Sequence, residues 1–405
     1  MRILFHHRIG SRDGQAVHIE ELIAALRRLG HETILVGPPS LEATKFGASN
    51  PFIDRIKHSL PQALYELLEI AYNLKAFLRL RAAVRAHRPD LIYERFSLFL
   101  FAGIWVSRSY RLPILLEVNS PLFEERAENG GLRLHWLGRW AQRMLWNHAD
   151  HVLPVTGVLA RIVASYGVAP SRITVIPNGV NLERFGRVLD TDAAKAELRL
   201  SSRLILGFTG FIRDWNAVHR LIDFAAQQHS QFDLHALVVG DGPARGFLEQ
   251  YAREQGVPDR LTITGVVERD DVARYVSAFD IAVVPSMTPY SSPLKLFEYL
   301  QLGRAIVAPK AENIREILTD GQNALLFDPA ADGAMEAALL RLCTDPVLRA
   351  RLGDAARRTI KAKSLTWTSN AERVLGIAET ALLEASGRRQ AEAVTGQRRR
   401  RESEN

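Results

Sequence analysis

Short apolar runs alternate with amphipathic segments along most of the chain. The first run, RILFHH, precedes a polar loop that contains glycine, and this loop leads into AVHIEELIAALRRLG. In that segment Leu22, Leu26 and Leu29 recur at the spacing of one helix face, and Gly30 fits a left-handed cap before the next run, TILVG. The order predicts a β-α-β unit with parallel strands.

The alternation falls into two series that are separated by a polar connector. Strands of the first series are predicted at DLIYE, PILLEV, HVLPVT and ITVIP. Strands of the second series are predicted at RLILGFTG, HALVVGDG, LTITG, IAVVPS, AIVAP and NALLF. We therefore predict an α/β protein of two Rossmann-like domains facing across a cleft, with residues 1–185 in the first domain and 186–365 in the second.

Two basic segments stand apart from this alternation. Residues 52–88 mix leucine, tyrosine and phenylalanine with arginine and lysine. They predict either a packed helix pair with a solvated charged face or a surface helix that meets anionic lipid or a lipid-phosphate acceptor. Residues 386–405 show no apolar periodicity and are predicted to form a disordered basic tail, with anchoring to anionic lipid as the alternative role.

Composition narrows the class of protein. A chain of 405 residues with 47% apolar and 24% charged residues is typical of a folded protein, and its net charge of +7 permits anionic partners, among which we expect no nucleic acid. The single cysteine, Cys343, excludes an internal disulfide, and no histidine or cysteine spacing indicates a zinc site. Because the apolar run Leu98–Val106 covers about half of a bilayer span, we expect a cytoplasmic protein, with peripheral attachment at the inner membrane face as a further option.

The segment PYSSPLKLFEYLQLGRAIVAP contains the clearest candidate for a ligand site. Ser292 fits a helix N-cap and Pro293 the first helical position. The preceding run is a predicted strand, so the helix begins at the carboxyl edge of a sheet, where its free N–H groups and its dipole favour an anion. Lys295 and Glu298 share one helix face and are predicted either to bind a diphosphate and a ribose diol or to form a surface ion pair without a role.

Several segments together resemble a known enzyme family. They are NSPLFEE, ADHVLPVTGVLARIVASYGVAPSRITVIPNGVNLERF, LVVGDGP, LTITGVVERDDVARYVSAFDIAVVPS and SPLKLFEYLQLGRAIVAPKAENIREILTDGQNALLFDP. This set resembles the GT4 family of retaining glycosyltransferases, over nearly the whole chain up to about residue 385. The resemblance implies the GT-B fold, an acceptor bound by the first domain, a nucleotide-sugar bound by the second, and a last helix, residues 366–385, that packs back on the first domain.

The resemblance also implies roles for single residues. Glu298 matches the second glutamate of the family's Glu-x7-Glu motif, which holds the donor ribose, whereas the first glutamate falls on Tyr290. The carboxylate that contacts the sugar is therefore absent at this position. Phe211 and Asn216 stand where the family often has an arginine and a lysine on the diphosphate. This leaves Arg213 and Lys295 as the candidate catalytic cations, with a surface position without a role as the alternative for Arg213.

The other donor contacts are expected from loops. At the helix start they are Tyr290, Ser291, Ser292, Pro293 and Leu294. In the first domain Gly14, beside Gln15, is expected to let the backbone approach the diphosphate, because a side chain would hold it away. Gly240, Gly242 and Val266 are predicted to border the base, and an ordinary turn is the alternative for the glycines.

The acceptor side carries weaker signals. Glu117 and Asn119 are candidates because they end a predicted strand of the first domain. Glu124 and Glu125 are predicted to begin a solvated helix rather than to act as a base. Three histidines are candidates for donor or acceptor contacts, with a packed or surface role as the alternative for the third: His6, His7 and His18.

Together these features predict a retaining glycosyltransferase that moves a sugar from a nucleotide-diphosphate sugar, with a UDP-sugar preferred, to a hydroxyl of a glycan or lipid-linked acceptor. Exopolysaccharide or other glycan assembly is the expected setting. Fixed cations and a helix dipole would stabilise the leaving diphosphate, so neither a metal nor another cofactor is expected. Two alternatives remain open: a nucleotide-sugar 2-epimerase on the same fold, and an inactive nucleotide-sugar-binding protein.

Overall fold

The computed structural model describes residues 1–10, 14–38, 60–186, 190–201 and 203–403, with side chains as far as residue 387. The amino-terminal part of the predicted basic helical region, residues 52–59, lies outside the described residues. Within the described residues the chain forms two separate parallel sheets, one in each half.

The first domain is built on a five-stranded parallel sheet in the order β2-β1-β3-β4-β5. Its strands are β1 Arg2–His6, β2 Glu32–Val36, β3 Leu91–Arg95, β4 Ile114–Val118 and β5 His151–Pro154. Along β1, Leu4 packs into the core on one face of the sheet, while Ile3 and Phe5 pack into the core on the other. The strands are apolar runs because both faces are buried. The segment ITVIP, predicted as a strand, forms only a single bridge between Val152 and Ile173.

Helices cover both faces of this sheet. They are α1 Gly14–Arg28, α2 Gln62–His87, α3 Ala102–Tyr110, α4 Leu122–Glu128, α5 His135–His148 and α6 Gly157–Ser165. A short 3-10 helix follows at Pro170–Arg172. On α1 the predicted apolar face is found, because Leu22 and Leu26 are buried against the sheet.

Buried polar side chains fix α2 in place. Glu66 accepts hydrogen bonds from the backbone N–H groups of Arg133 and Leu134 at 2.7 and 2.9 Å. The Asn73 side-chain oxygen accepts from the N–H groups of Phe101 and Ala102, at 2.6 and 2.9 Å. The described part of the basic region is thus one long helix, held by hydrogen bonds to neighbouring loops.

The second domain carries a six-stranded parallel sheet in the order β11-β10-β9-β6-β7-β8. Its strands are β6 Leu204–Thr209, β7 Leu234–Val239, β8 Leu261–Ile263, β9 Ile281–Val283, β10 Ala305–Pro309 and β11 Leu325–Phe327. On β6, Leu206 and Phe208 face one core and Ile205 faces the other, which repeats the arrangement of the first sheet. The strand series predicted from the apolar runs is therefore present here.

Helices also cover both faces of the second sheet. The polar connector holds two short ones, α7 Leu182–Phe185 and α8 Thr191–Glu197. The others are α9 His219–Gln227, α10 Arg245–Glu254, α11 Val272–Ser277, α12 Leu294–Gln301, α13 Glu312–Arg315, α14 Ala334–Thr344 and α15 Pro346–Ala362. Two 3-10 turns lie at Asp214–Asn216 and Pro258–Arg260.

The last helix, α16 Trp367–Ser403, returns to the first domain. Its residues Trp367, Ala371 and Val374 are buried in the same core as Ile3 and Leu22. The disorder predicted for residues 386–405 is wrong for the backbone, which stays helical to residue 403. Alanine, glutamate, glutamine and arginine are strong helix formers, so a segment without an apolar stripe can continue a helix that packing has already begun.

Candidate active site

A cavity of about 1340 Å³ lies between the two sheets. Loops after the carboxyl ends of β1, β3 and β4 line it from the first domain, and loops after β6, β7 and β9 line it from the second. Open parallel sheets place ligands at this edge. The cavity is therefore where the sequence predicted the ligand site.

The loop before α12 joins the two domains rather than only capping the helix. The residue that precedes α12 is Pro293, whose side chain cannot accept a hydrogen bond from the helix. Ser292, predicted as the N-cap, instead accepts from the Asn178 N–H at 3.0 Å through its hydroxyl and from the Asn178 side chain at 2.5 Å through its carbonyl. The first N–H groups of α12 thus lack a side-chain cap and adjoin the cavity, together with Ser291 and Leu294.

Lys295 lies in the first turn of α12, half-buried and facing the cavity. Its Nζ atom is 3.6 Å from the centre of the Phe208 ring, and among the described residues Glu298 acts on it through its charge without forming an ion pair. Burial lowers the pKa of Lys295 to about 7, although the nearby charge of Glu298 acts in the opposite direction. A cation in this position would gain from an anionic ligand.

Glu298 lies one turn further along α12 and also lines the cavity. Burial raises the pKa of Glu298 to about 7, while the positive charges of Lys295 and Arg269 oppose that change. The two predicted residues are therefore brought to one wall of the cavity, but as neighbours without a direct ion pair among the described contacts. The ion pair of the alternative is therefore not found, and the roles of the two residues stay a prediction.

The loop after β6 supplies a second cation. Arg213 is exposed in the cavity, and its guanidinium lies 5.1 Å from the centre of the Phe211 ring. Asn216 also lines the cavity, is buried, and accepts a hydrogen bond from the Arg213 N–H at 2.9 Å, so it fixes the loop. Phe211 and Asn216 thus position Arg213 on the cavity wall.

The three glycines predicted as donor contacts differ in their steric surroundings and in their position relative to the cavity. Gly240 lines the cavity with φ of +143°, and a Cβ there would lie 2.1 Å from the Gly210 carbonyl oxygen. Gly242 packs against the Ile212 backbone, where a Cβ would lie 2.2 Å from the carbonyl oxygen, and it is not on the cavity wall. Gly14 does line the cavity, but a Cβ there would meet only Leu294 Cδ1 at 3.8 Å. In this arrangement of the protein, no steric contact requires glycine at position 14.

Two further predicted donor residues lie on the wall. Val266 has 51% of its surface exposed and faces the cavity. Gln15 lies beside Gly14 at the start of α1 and also faces the cavity. Ser291 is held in place because its carbonyl accepts from the Asn313 side chain at 2.7 Å.

Tyr290 crosses from the second domain to the first. Its hydroxyl donates a hydrogen bond to Glu125 on α4, and its carbonyl accepts from the Thr156 hydroxyl at 2.9 Å. Its ring packs against the core of the first domain, and burial together with Glu125 raises the pKa of Tyr290. Tyr290 therefore connects the two walls of the cavity at the position where the resemblance implies a carboxylate.

Glu124 and Glu125 lie in the first turn of α4, as predicted, but both are half-buried, so the expectation that they are solvated is wrong. Glu124 accepts hydrogen bonds from the Tyr166 hydroxyl at 2.5 Å and from the Gln142 side chain at 2.8 Å. Glu125 lines the cavity and accepts from Tyr290. The first of these carboxylates stabilises the first domain, and the second borders the site.

Glu117 is buried at the end of β4 and receives four side-chain contacts. The Tyr93 hydroxyl, Arg95 and His18 lie at 2.7, 2.8 and 2.8 Å, and the Asn119 side chain donates the fourth hydrogen bond. Burial on its own would raise the pKa of Glu117, but the charges of His18 and Arg95 and the hydrogen bonds hold that pKa well below its ordinary value. Of the two predicted acceptor residues, Asn119 lines the cavity and Glu117 lies behind it.

The three candidate histidines have different surroundings. His18 lines the cavity and connects Glu117 to Asn178, whose side-chain oxygen is 2.6 Å from Nδ1. His6 is buried against Glu94, and neither it nor His7 is on the cavity wall. Burial lowers the pKa of His7 to about 4, with smaller contributions from His6 and Arg95. His18 alone of the three is therefore placed to influence a ligand directly.

The sequence reasoning missed several residues of the site. Glu21 on α1 accepts from Arg269 at 2.6 Å and from Arg184 at 2.8 Å, which links the first domain to the second and to the connector. Thr209 lines the cavity with a buried hydroxyl that has no hydrogen-bond partner in the described residues, and Trp215 lines it with 53% of its surface exposed. For Thr209, its position at the end of a strand could have indicated a role in the site. The ion pairs of Glu21 could not be predicted, because contacts between distant segments leave no pattern in the sequence.

The described residues contain neither a metal-binding cluster nor a membrane-spanning helix. No group of histidine, cysteine, aspartate and glutamate side chains there could hold a metal ion. No helix there is both long and apolar enough to cross a bilayer.

Comparisons with known proteins identify the family. The model for Glycosyltransferase Family 4 matches residues 12–184, and the model for Glycosyl transferases group 1 matches residues 203–345. The chain is a family 4 glycosyltransferase. The chain is 23% identical over 401 residues to the MMP alpha-(1->4)-mannosyltransferase of Mycolicibacterium hassiacum, an alignment that covers 91% of this chain and 95% of that protein.

Two more relatives agree with this assignment. The glycosyltransferase is 31% identical over 179 residues to the alpha-D-kanosaminyltransferase of Streptomyces kanamyceticus, which covers 43% of this chain and 46% of that protein. The crystal structure of Anabaena HepE in complex with UDP superposes with a TM-score of 0.71 at 19% identity, covering 94% of this chain and all of that chain. This glycosyltransferase therefore has the predicted GT-B fold, and the predicted enzyme class is confirmed.

Proposed function

We propose that this glycosyltransferase moves a sugar from a UDP-sugar to an acceptor hydroxyl with retention of the anomeric configuration. The observation that carries the proposal is Lys295, a half-buried cation without a carboxylate partner in the described residues, beside the uncapped N–H groups of α12. Burying a charge without a partner destabilises an empty site. A diphosphate bound there would supply the missing counter-charge.

The remaining donor contacts fit a nucleotide. Glu298 can accept hydrogen bonds from a ribose diol one helix turn beyond Lys295, and Val266 and Gly240 offer an open surface for the base. The buried Thr209 hydroxyl is free to contact a phosphate oxygen. The solved complex of HepE contains UDP, which supports the choice of this nucleotide.

The proposed reaction breaks the bond between the anomeric carbon of the sugar and the diphosphate oxygen. The acceptor oxygen forms the new bond to the same carbon, and its proton passes to the departing diphosphate. Negative charge grows on the departing diphosphate, and Lys295, Arg213 and the amino end of α12 would stabilise it. These fixed charges are the basis for proposing that no metal is required. Glu117 is saturated by its four contacts, so we assign no covalent nucleophile to it.

We further propose that the first domain binds a glycan or lipid-linked acceptor at the cytoplasmic face of a membrane, in exopolysaccharide or other glycan assembly. Helix α2 carries a row of exposed leucines, and exposed tryptophans lie on the same domain: Leu64, Leu67, Leu74, Leu78, Trp105, Trp136 and Trp140. Exposed apolar side chains among basic ones are typical of surfaces that dock on anionic bilayers. This part of the proposal is tested by sedimentation with vesicles of defined charge.

The central experiment combines a donor panel with product analysis. We expect one UDP-sugar to raise the melting temperature of the purified protein and to release UDP only when an acceptor is present. The anomeric configuration of the product, read by NMR, should equal that of the donor. An inverted product would overturn retention, and an epimerised sugar formed without acceptor would favour the 2-epimerase alternative. Donor binding without any turnover would favour the inactive binding protein.

A further inference from the structure

Helix α2 presents a continuous stripe of side chains to the cavity. The stripe consists of Tyr65, Leu68, Tyr72, Lys75 and Arg79, all of which line the cavity wall. Their spacing of three or four residues places them within one third of the helix circumference, and the stripe is roughly 21 Å long at 1.5 Å per residue. The stripe has an aromatic and apolar half and a cationic half.

The cationic half has no counter-charge in the described structure. Lys75 and Arg79 are exposed in the cavity, and the described residues contain no acidic side chain within ion-pair distance of either. The nearest acidic residue on the same helix face, Glu69, is already shared by Arg8 at 3.1 Å and Arg126 at 2.8 Å. Positive charge therefore exceeds negative charge along this wall.

The cavity also has room for a second ligand. Its volume of about 1340 Å³ exceeds the ~300–1,000 Å³ that is usual for a site with one small ligand. Most of the proposed donor contacts lie on the second domain, at α12 and the loops after β6, β7 and β8, and the two predicted on the first domain, Gly14 and Gln15, lie at the start of α1 rather than on α2. The α2 stripe belongs to the opposite wall, so it remains open when the donor is bound.

From this arrangement we infer that the acceptor carries a phosphate group, which Lys75 and Arg79 bind, while its hydroxyl-bearing part packs on Tyr72 and Leu68. The inference rests on the proposed function and adds the chemical class of its acceptor. Lys75 and Arg79 are four residues apart on one helix face, so both can contact one dianionic phosphate, the arginine through two parallel hydrogen bonds. The phosphate can belong to a lipid headgroup or to a soluble sugar or polyol phosphate.

The test measures binding by the full chain with UDP present to fill the donor side. Glycerol 1-phosphate and glycerol are compared by calorimetry, and phosphatidylcholine vesicles with and without phosphatidic acid are compared by sedimentation. We expect the phosphorylated probe of one pair to bind and its partner to bind at least ~tenfold more weakly, since charge-assisted contacts supply the affinity. Binding of the soluble probe indicates a soluble acceptor, and binding only to phosphatidic acid vesicles indicates a lipid phosphate.

A matched variant separates this site from general electrostatic attraction. The double variant Lys75→Gln with Arg79→Gln should lower affinity for the phosphorylated probe at least ~tenfold. Arg81→Gln makes the same type of change on the same helix, outside the cavity wall, and should leave affinity unchanged. Equal affinity in the double variant, equal loss in the Arg81 control, or no preference for phosphate in either pair would overturn the inference. Failure of UDP itself to bind would instead count against the proposed function.

Discussion

The two walls of the cavity handle charge in different ways. On the second domain, Lys295 is half-buried without a carboxylate partner in the described residues, and Arg213 faces open space. On the first domain, Glu117 lies behind the wall with a partner for each oxygen. On the second domain the cations Lys295 and Arg213 could therefore bind a negatively charged ligand. On the first domain the buried carboxylate of Glu117 already has its partners and needs no ligand.

Because of this difference, substitutions on the two sides of the cavity should affect activity and stability to different degrees. An unpaired half-buried cation weakens the empty protein and strengthens it when an anion arrives, while a saturated buried network stabilises the protein in every state. Substitutions on the second wall should therefore change activity more than stability. Substitutions in the network behind the first wall should do the reverse.

The largest expected effect is on catalysis at Lys295. Lys295→Met should lower kcat/KM about 10³-fold, because it removes the charge that we propose stabilises the leaving diphosphate. Its melting temperature without ligand should equal or exceed that of the wild type, since an unpaired buried charge is also removed. Steady-state kinetics and thermal denaturation measure the two effects. Lys310→Met, at an exposed position of the same domain, is the control and should leave both unchanged.

The next effect is on stability at Glu117. Glu117→Gln should lower the free energy of unfolding by about 3 kcal/mol, because Arg95 and His18 lose their buried counter-charge. The pKa of Glu117 is depressed in the folded protein, so its contribution is present above the ordinary value of 4.5 and is lost as the pH falls. Chemical denaturation at several pH values should show the difference shrinking in acid. A constant difference, or an equal one in the exposed control Glu128→Gln, would contradict the paired-network account.

A smaller effect is expected where the two walls meet. Tyr290→Phe should raise KM for the donor about tenfold by removing the hydrogen bond to Glu125 that connects the domains. Tyr290→Glu restores the carboxylate that the family motif has, but it places that carboxylate against Glu125. The double variant Tyr290→Glu with Glu125→Gln should therefore be more active than Tyr290→Glu alone. A double variant no better than the single one would show that repulsion between the walls is not the cause.

The smallest effect is the pH dependence of nucleotide binding. Lys295 has a pKa near 7 in the empty site, so diphosphate binding must take up a proton as the pH rises above 7. UDP affinity should fall by up to about tenfold per pH unit above that value. The free energy of unfolding of the empty protein changes with pH in the opposite direction. Between pH 7 and 10.5 Lys295 is protonated in the unfolded chain and neutral in the folded one, so its contribution to the free energy of unfolding rises with pH. Calorimetry in buffers of different ionisation enthalpy measures the proton uptake, which Lys295→Met should reduce, while Glu298, whose pKa is also about 7, continues to titrate.

Local sequence patterns were sufficient to predict much of the cavity wall that the second domain forms. Helix α12 follows a buried strand, so its amino end had to lie at the carboxyl edge of the second sheet, and Lys295 and Glu298 had to lie on one of its faces. The same reasoning failed for Ser292, which contacts Asn178 of the first domain instead of capping the helix. A hydroxyl that can cap a helix can equally bind the backbone of a distant segment. The sequence around Ser292 does not indicate which of the two it will do.

The sequence by itself determined the two α/β domains, the family resemblance and the position of α12 at the carboxyl edge of a sheet, because these follow from short-range periodicity and from motifs within one segment. Only the tertiary structure decided that Tyr290 reaches Glu125, that Glu21 joins Arg269, and that the stripe of α2 faces the cavity. These contacts join residues far apart in the chain, and their partners are selected by how the two domains meet. Burial then set the pKa of Lys295, since the loss of water around a charge depends on the whole fold.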